Sequence, residues 1–353
     1  MTTPQHKVLI FSTADPTGAT HRQLEAAGFE LVFGKSDVNN PLGNTEEGLR
    51  ELAKGCDALV GTSIKGARIT RKVMEASDRL RIVAKYTIGV DEVDIDEATE
   101  MGILVTHAPT EANYGAVAEG CVGMMLNILK KSRQRDQWVK EGGWRDDSLL
   151  STYVGRREDG YPGITIGLIG LGRVGGRFAE LLRPWRARVI AYDPYIEQSR
   201  FDQLGVERVD LDTVLKESDV MSLHIVLNKE TYNMIDAREL AMMKPTAVVI
   251  NTSRGGVINE DALADALKEN RLSGAALDVF EQEPVDPENP LLFLGDKVLV
   301  SPHNIAMTPG GGIGPGIPWA TESVLKALRG EVPDNVYNKE VIPRWIERWG
   351  KKA

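Results

Sequence analysis

Apolar residues along this chain come in short runs, separated by stretches where apolar positions recur at helical spacing. That is the pattern of strands buried in a parallel sheet, each followed by an amphipathic helix. In the first third, Val8–Phe11, Ala58–Val60, Ile82–Ala84 and Ile103–Thr106 predict strands. His21–Ala27 and Thr70–Ala76 predict helices between them. From Glu111 to Val139 good helix formers predict one long helix, ended near Gly142-Gly143-Trp144. The polar stretch from Arg145 to Gly163 predicts a surface connection.

A second, cleaner βα series follows. Ile164–Ile169 predicts a strand, Arg173–Leu182 a helix and Arg188–Tyr192 another strand. Val220–Ile225, Ala247–Asn251, Gly274–Leu277 and Lys297–Val300 predict further buried strands. Pro309–Pro318 is too rich in Gly and Pro for helix or strand, and a helix from about Trp319 to Arg329 and a short tail follow it. Two series of this kind imply an α/β protein with two parallel sheets.

Composition narrows the options. The 353 residues suffice for two domains, and 42% hydrophobic with 26% charged residues is ordinary for a globular protein. A net charge of −9 argues against nucleic-acid or anionic-membrane partners, which need clustered Lys and Arg. Two cysteines, Cys56 and Cys121, without metal-ligand spacing point to a reducing, cytoplasmic setting and to no bound metal. No run approaches the roughly 18 apolar residues of a membrane span.

Ile164–Ile169 leads directly into Gly170-Leu-Gly172-Arg173-Val174-Gly175, a GxGxxG between strand and helix. Gly170 permits a tight turn, Gly172 lets backbone approach a pyrophosphate, and Gly175 allows close helix–strand packing. The helix N-terminus, with Arg173 and Val174, offers N–H groups to phosphate oxygens. The next strand ends at Asp193, 23 residues after Gly170, where a carboxylate accepts ribose hydroxyls and repels a 2′-phosphate. NAD is the expected cofactor.

Three later segments put polar residues just past apolar strands, where open α/β sheets build sites. They are Asn251-Thr252-Ser253-Arg254-Gly-Gly, Asp278-Val-Phe-Glu-Gln-Glu283-Pro284 and Ser301-Pro302-His303. With the glycine motif, they resemble the D-isomer-specific 2-hydroxyacid dehydrogenase family, which takes in phosphoglycerate dehydrogenases and glyoxylate/hydroxypyruvate reductases. The resemblance implies hydride transfer between NAD(H) and a small 2-oxo acid/D-2-hydroxy acid pair. It implies that Arg254 binds the substrate carboxylate and polarises the carbonyl, with His303 exchanging the carbonyl proton. Glu283 would favour the imidazolium form of His303, while Thr252, Arg254 and Asp278 would lie beside the cofactor.

The same resemblance implies a Rossmann-type doubly wound sheet, residues 111–308, inserted into a smaller flavodoxin-like substrate domain of residues 1–110 and 309–353, with a cleft between them. The family's carboxylate-holding loop, usually Arg-x-Gly-x-Gly, is replaced here by Lys85-Tyr86-Thr87-Ile88-Gly89, and Glu92 stands where Asn is common. Bulk at Tyr86, Thr87 and Ile88 suggests a substrate larger than glyoxylate. Family members are commonly dimers, and Met124, Met125, Leu126, Ile128 and Leu129 mark the long helix as an interface. The alternative is an NAD(H)-sensing regulator of the same fold, like the C-terminal-binding-protein corepressors.

Overall fold

The computed structural model describes residues 6–37, 39–308 and 312–351. The chain forms two compact units, residues 1–113 with 307–353, and residues 114–306. Each is an α/β unit around its own parallel sheet, as the alternation of apolar runs and amphipathic stretches predicts.

In the first unit, strands β1 (His6–Thr13), β2 (Phe29–Asp37), β3 (Ala58–Gly61), β4 (Ile82–Lys85) and β5 (Leu104–Thr106) pair in the order β2-β1-β3-β4-β5. All are parallel, the flavodoxin-like order. Successive strand residues face opposite sides, and both sides are covered. Val8, Ile10, Val60, Ile82 and Ala84 pack with the helix Gly316–Leu328, whereas Leu9, Phe11, Leu59 and Val83 pack under Leu49, Val73 and Met74. The end of the chain thus completes this unit. Trp345, in the helix Ile342–Trp349, is fully buried and donates to the Arg81 carbonyl at 3.0 Å.

The second unit contains β6 (Thr165–Ile169), β7 (Arg188–Tyr192), β8 (Glu207–Arg208), β9 (Val220–Leu223), β10 (Val248–Asn251), β11 (Gly274–Leu277) and β12 (Val298–Val300). Their order is β12-β11-β10-β9-β6-β7-β8. That is the Rossmann arrangement extended by one strand, with the reversal of winding between β6 and β9. Ligands of such sheets bind beyond the strand ends at that reversal.

Several elements differ from expectation. The long helix is two, Glu111–Leu129 and Ser132–Lys140, broken at Lys131 with φ +50°. Met124, Met125 and Leu129 are buried in their own unit, with Leu126 and Ile128 packed against the same core, so those residues are not an uncovered surface. Of the Gly/Pro segment 309–318, residues 309–311 lie outside the described residues. Residues 312–315 form turns, and the helix starts at Gly316, earlier than the Gly and Pro content suggests. The helix Ile342–Trp349 was not expected in the tail.

Candidate active site

The glycine turn is shaped by close approaches. Gly170 has φ +94°, and a Cβ there would stand 2.5 Å from the His224 carbonyl oxygen. A Cβ on Gly175 would lie 2.2 Å from the Gly170 oxygen, so only glycine lets the helix Arg173–Leu182 sit this near the strand. Around Gly172 the space is open. Asp193 Oδ2 accepts the Leu171 N–H at 2.8 Å, and Oδ1 accepts the Tyr195 N–H at 3.0 Å. The turn therefore has two closed sides, one open side and a carboxylate at its edge. That arrangement fits a dinucleotide pyrophosphate on the backbone, with Arg173 exposed and Val174 half-buried in the first helical turn.

His224, which sequence reasoning passed over, closes the turn from below. It follows β9, its ring lies 5.5 Å from that of Phe178, and its Cδ2 is 3.3 Å from where a Gly175 Cβ would be. Part of the residue is exposed, yet Nε2 is sealed from solvent and has no partner among the described residues. Burial pushes the ring's pKa down to about 3.

Beyond β10, Asn251 organises the next loop. Its Oδ1 accepts the Ser253 N–H at 3.0 Å and the Ser253 hydroxyl at 2.9 Å, while Nδ2 donates to the Arg254 carbonyl at 2.9 Å. Arg254 is half-buried and Nη1 donates to the Ser253 carbonyl at 2.6 Å. Thr252 is turned inward, its Oγ1 3.0 Å from Cys121 Sγ. Asp278, just past β11, is buried and accepts the Asn304 and Ile305 N–H groups at 3.1 and 3.3 Å. Burial raises its pKa, against hydrogen bonds and the nearby His303. Asp278 therefore acts on the loop that carries His303, in addition to any contact with a cofactor.

His303 is held from both ends. Its N–H donates to the Asp278 carbonyl at 2.7 Å, and its backbone takes φ +53°, uncommon outside glycine. Nδ1 lies 2.8 and 3.0 Å from the two Glu283 carboxylate oxygens, and Oε1 of Glu283 also accepts the Phe280 N–H at 3.1 Å. The His303 side chain is 40% exposed and that of Glu283 only 14%. A carboxylate on Nδ1 keeps the proton there, leaving Nε2 as the nitrogen that exchanges its proton with a ligand.

In the first unit, Tyr86 corrects an expectation. It is 2% exposed, and its ring packs in the core with Ile10, Ile317 and Val324, so its bulk does not shape a binding surface. Thr87, Ile88 and Gly89 are half-buried at the end of β4. Two departures from the family pattern prove to be partners. The buried Lys85 ammonium pairs with the Glu92 carboxylate and donates to the Thr62 carbonyl at 3.0 Å. Glu92 Oε1 accepts the Ile64 N–H at 3.3 Å. Burial pulls the Lys85 pKa down while Glu92 pulls it up. The pair ties the loop after β3 to the loop after β4.

Residues 122–304 match the family described as D-isomer specific 2-hydroxyacid dehydrogenase, NAD binding domain. The chain belongs to this family. The glyoxylate reductase of Korarchaeum cryptofilum is 39% identical over 292 residues, covering 83% of this chain and 86% of that protein. The D-3-phosphoglycerate dehydrogenase of Methanocaldococcus jannaschii is 38% identical over 329 residues, 93% of this chain, and the chain spans 60% of its length. Among solved structures, the Aquifex aeolicus D-lactate dehydrogenase complexed with NAD and lactic acid superposes with a TM-score of 0.79 at 26% identity, over 94% of this chain and 99% of that one. The glycine turn and Asp193 thus lie in the NAD binding domain of a 2-hydroxyacid dehydrogenase, and a regulator without turnover is not favoured. Among the described residues, no His, Cys, Asp and Glu group could hold a metal ion, and no helix is long and apolar enough to cross a membrane.

Proposed function

We propose that this protein reduces a small 2-oxo acid to its D-2-hydroxy acid with NADH, and catalyses the reverse oxidation with NAD. The bound nicotinamide supplies the hydride in reduction and accepts it in oxidation. The observation that carries this reading is the His303–Glu283 pair, one carboxylate against one exposed imidazole. Glu283 holds the imidazole through Nδ1, and His303 Nε2 delivers its proton to the carbonyl oxygen as the carbonyl carbon gains hydride. In oxidation the neutral imidazole takes the hydroxyl proton back. Arg254 is assigned the substrate carboxylate and the carbonyl oxygen, which a planar guanidinium can bind with two N–H groups at once.

Gly170, Gly172, Gly175, Arg173 and Val174 are assigned the pyrophosphate, Asp193 the adenosine ribose, and Thr252 and Asp278 the nicotinamide end. The unit of residues 1–113 and 307–353 is assigned the substrate, with Thr87, Ile88 and Gly89 offering backbone N–H groups to its carboxylate. Two buried free thiols, Cys56 and Cys121, suit the cytoplasm. A homodimer through the region after Leu129 is supported by exposed Trp138, Val139, Trp144, Leu150 and Tyr153. Light scattering that shows a monomer at micromolar concentration removes the dimer.

The test is NADH oxidation, followed by absorbance, with glyoxylate, hydroxypyruvate, pyruvate and longer or aromatic 2-oxo acids. Turnover of at least one is expected. No turnover of any, from protein that binds NADH, overturns the proposal.

A further inference from the structure

The segment after β4 has an unusual division of its backbone groups. The Tyr86 N–H still donates to the Gly61 carbonyl at 3.0 Å. After it, every carbonyl is engaged or packed against its own unit. The Tyr86 oxygen lies 2.1 Å from where a Cβ of Gly316 would be. The Thr87 oxygen accepts the Ala108 N–H at 2.9 Å, and the Ile88 oxygen stands 3.1 Å from His107 Nδ1. The Gly89 oxygen accepts the Thr87 hydroxyl at 2.8 Å.

The four N–H groups of Thr87, Ile88, Gly89 and Val90, each on the same peptide plane as the carbonyl before it, have no acceptor among the described residues. Backbone N–H groups without a protein acceptor in a half-buried loop are open to a ligand. Consecutive N–H groups whose carbonyls are drawn elsewhere form a concave donor set suited to an anion. His107 is itself anchored: its N–H donates to the Asn335 carbonyl at 3.2 Å, and its ring meets Tyr337 edge-on at 5.4 Å.

We propose that Thr87 and His107 are positioning residues for substrate binding: by pinning the Gly89 and Ile88 carbonyls they keep the Val90 and Gly89 N–H groups, which share those peptide planes, directed at the substrate carboxylate. This rests on the assignment of the 87–89 loop to that carboxylate. Without the Thr87 hydroxyl, the Gly89 carbonyl is free to rotate, and a peptide turned the other way presents an oxygen to the anion. Threonine where the family pattern has glycine thus contributes a hydroxyl, besides restricting the backbone.

The experiment compares Thr87→Val, Thr87→Ser, His107→Phe and Ile88→Pro with wild type, on the best 2-oxo acid of the panel. KM, kcat and NADH affinity are measured, and oxamate binding to the NADH complex gives a Kd free of turnover. Thr87→Val and His107→Phe should each raise KM and the oxamate Kd roughly 3- to 10-fold, the range of one neutral hydrogen bond. kcat at saturation and NADH affinity should stay as in wild type, the sign of lost uniform binding. Thr87→Ser, which keeps the hydroxyl, should restore both constants. Wild-type KM in Thr87→Val, or equal impairment in Thr87→Ser, overturns the proposal. Ile88→Pro deletes one of the four N–H groups. If it raises KM while Thr87→Val does not, the positioning role alone falls. If it leaves KM unchanged in active enzyme, the loop's assignment to the carboxylate falls with it.

Discussion

In the proposed site, the working groups after β10, β11 and β12 are side chains, whereas those after β4 are backbone N–H groups. Arg254, Glu283 and His303 each follow a strand of the second sheet, and each is tied down by neighbours such as Asn251 and Asp278. At the end of β4 no side chain is assigned the corresponding role. Thr87 and His107 are spent on carbonyls of their own unit. A side-chain site depends on residue identity at the reacting position, and a backbone site depends on identity at positions that never touch the ligand. Substitutions should therefore fail differently in the two regions: in rate at the first, in affinity or stability at the second.

The largest effect is expected at His303. His303→Ala should lower kcat by about 10²–10⁴, the usual range for a lost general acid–base group. Fluorescence titration should show NADH binding retained. A variant that turns over normally would take His303 out of the chemistry and dissolve the contrast between the regions.

Next comes the buried pair beneath the β4 loop. Glu92→Gln leaves the Lys85 ammonium buried without its carboxylate, and breaking such a pair typically costs about 3–5 kcal/mol. Urea denaturation should report that loss. The double variant Lys85→Met with Glu92→Gln, which removes both charges, should recover more than half of it. If the two changes add instead of compensating, the two departures are independent.

At the glycine turn the two kinds of site meet in one residue. Asp193 is a side chain expected at the ribose, but Oδ2 also holds the Leu171 N–H. Asp193→Ala should narrow the preference for NAD over NADP by about tenfold, the worth of one charge-assisted hydrogen bond. It should also weaken both cofactors, because the turn loses its tie. A gain in NADP affinity with NAD binding intact would show that the tie to Leu171 contributes nothing.

The last effect is graded by pH. His224 titrates near 3 when folded, below its ordinary value of 6.5. Below pH 6.5 the unfolded chain therefore binds a proton that the folded protein does not. Stability is full above pH 6.5 and falls as pH drops toward 3, by up to about 1.4 kcal/mol per unit from this one group. His224→Asn should flatten unfolding free energy between pH 6.5 and 4.5; an unchanged slope would show that the ring does not stay neutral.

The same contrast explains what could be read in advance. β6, β7 and β11 were legible nearly to the residue because central parallel strands are continuous apolar runs. β2, an edge strand reading FELVFGKSD, mixes charges and a glycine into the run, and its pairing with β1 supplies what its own pattern lacks. The break at Lys131 has no Gly or Pro to announce it. His303, Glu283 and Arg254 stood out because their segments follow apolar runs and together resemble the family's motifs. Tyr86 misled because position in a loop says nothing about which way a ring turns. The Lys85–Glu92 partnership and the engaged carbonyls of 87–89 are contacts, and one sequence contains no contacts.

The helix Gly316–Leu328 covers strands made near the beginning of the chain. During synthesis, the apolar face of β1, β3 and β4 leaves the ribosome well before its cover exists. The intervening residues 114–306 take roughly 10–40 s to make at about 5–20 residues per second. Through that interval the second unit can fold on its own while the first holds an unfinished sheet with Val8, Ile10, Val60 and Ile82 exposed on one side. A ribosome stalled before Gly316 would carry a finished nucleotide domain tethered to an adhesive half-domain. Nascent chains arrested there should bind chaperones at the strands β1, β3 and β4, and synthesis of the helices Gly316–Leu328 and Ile342–Trp349 should end that binding.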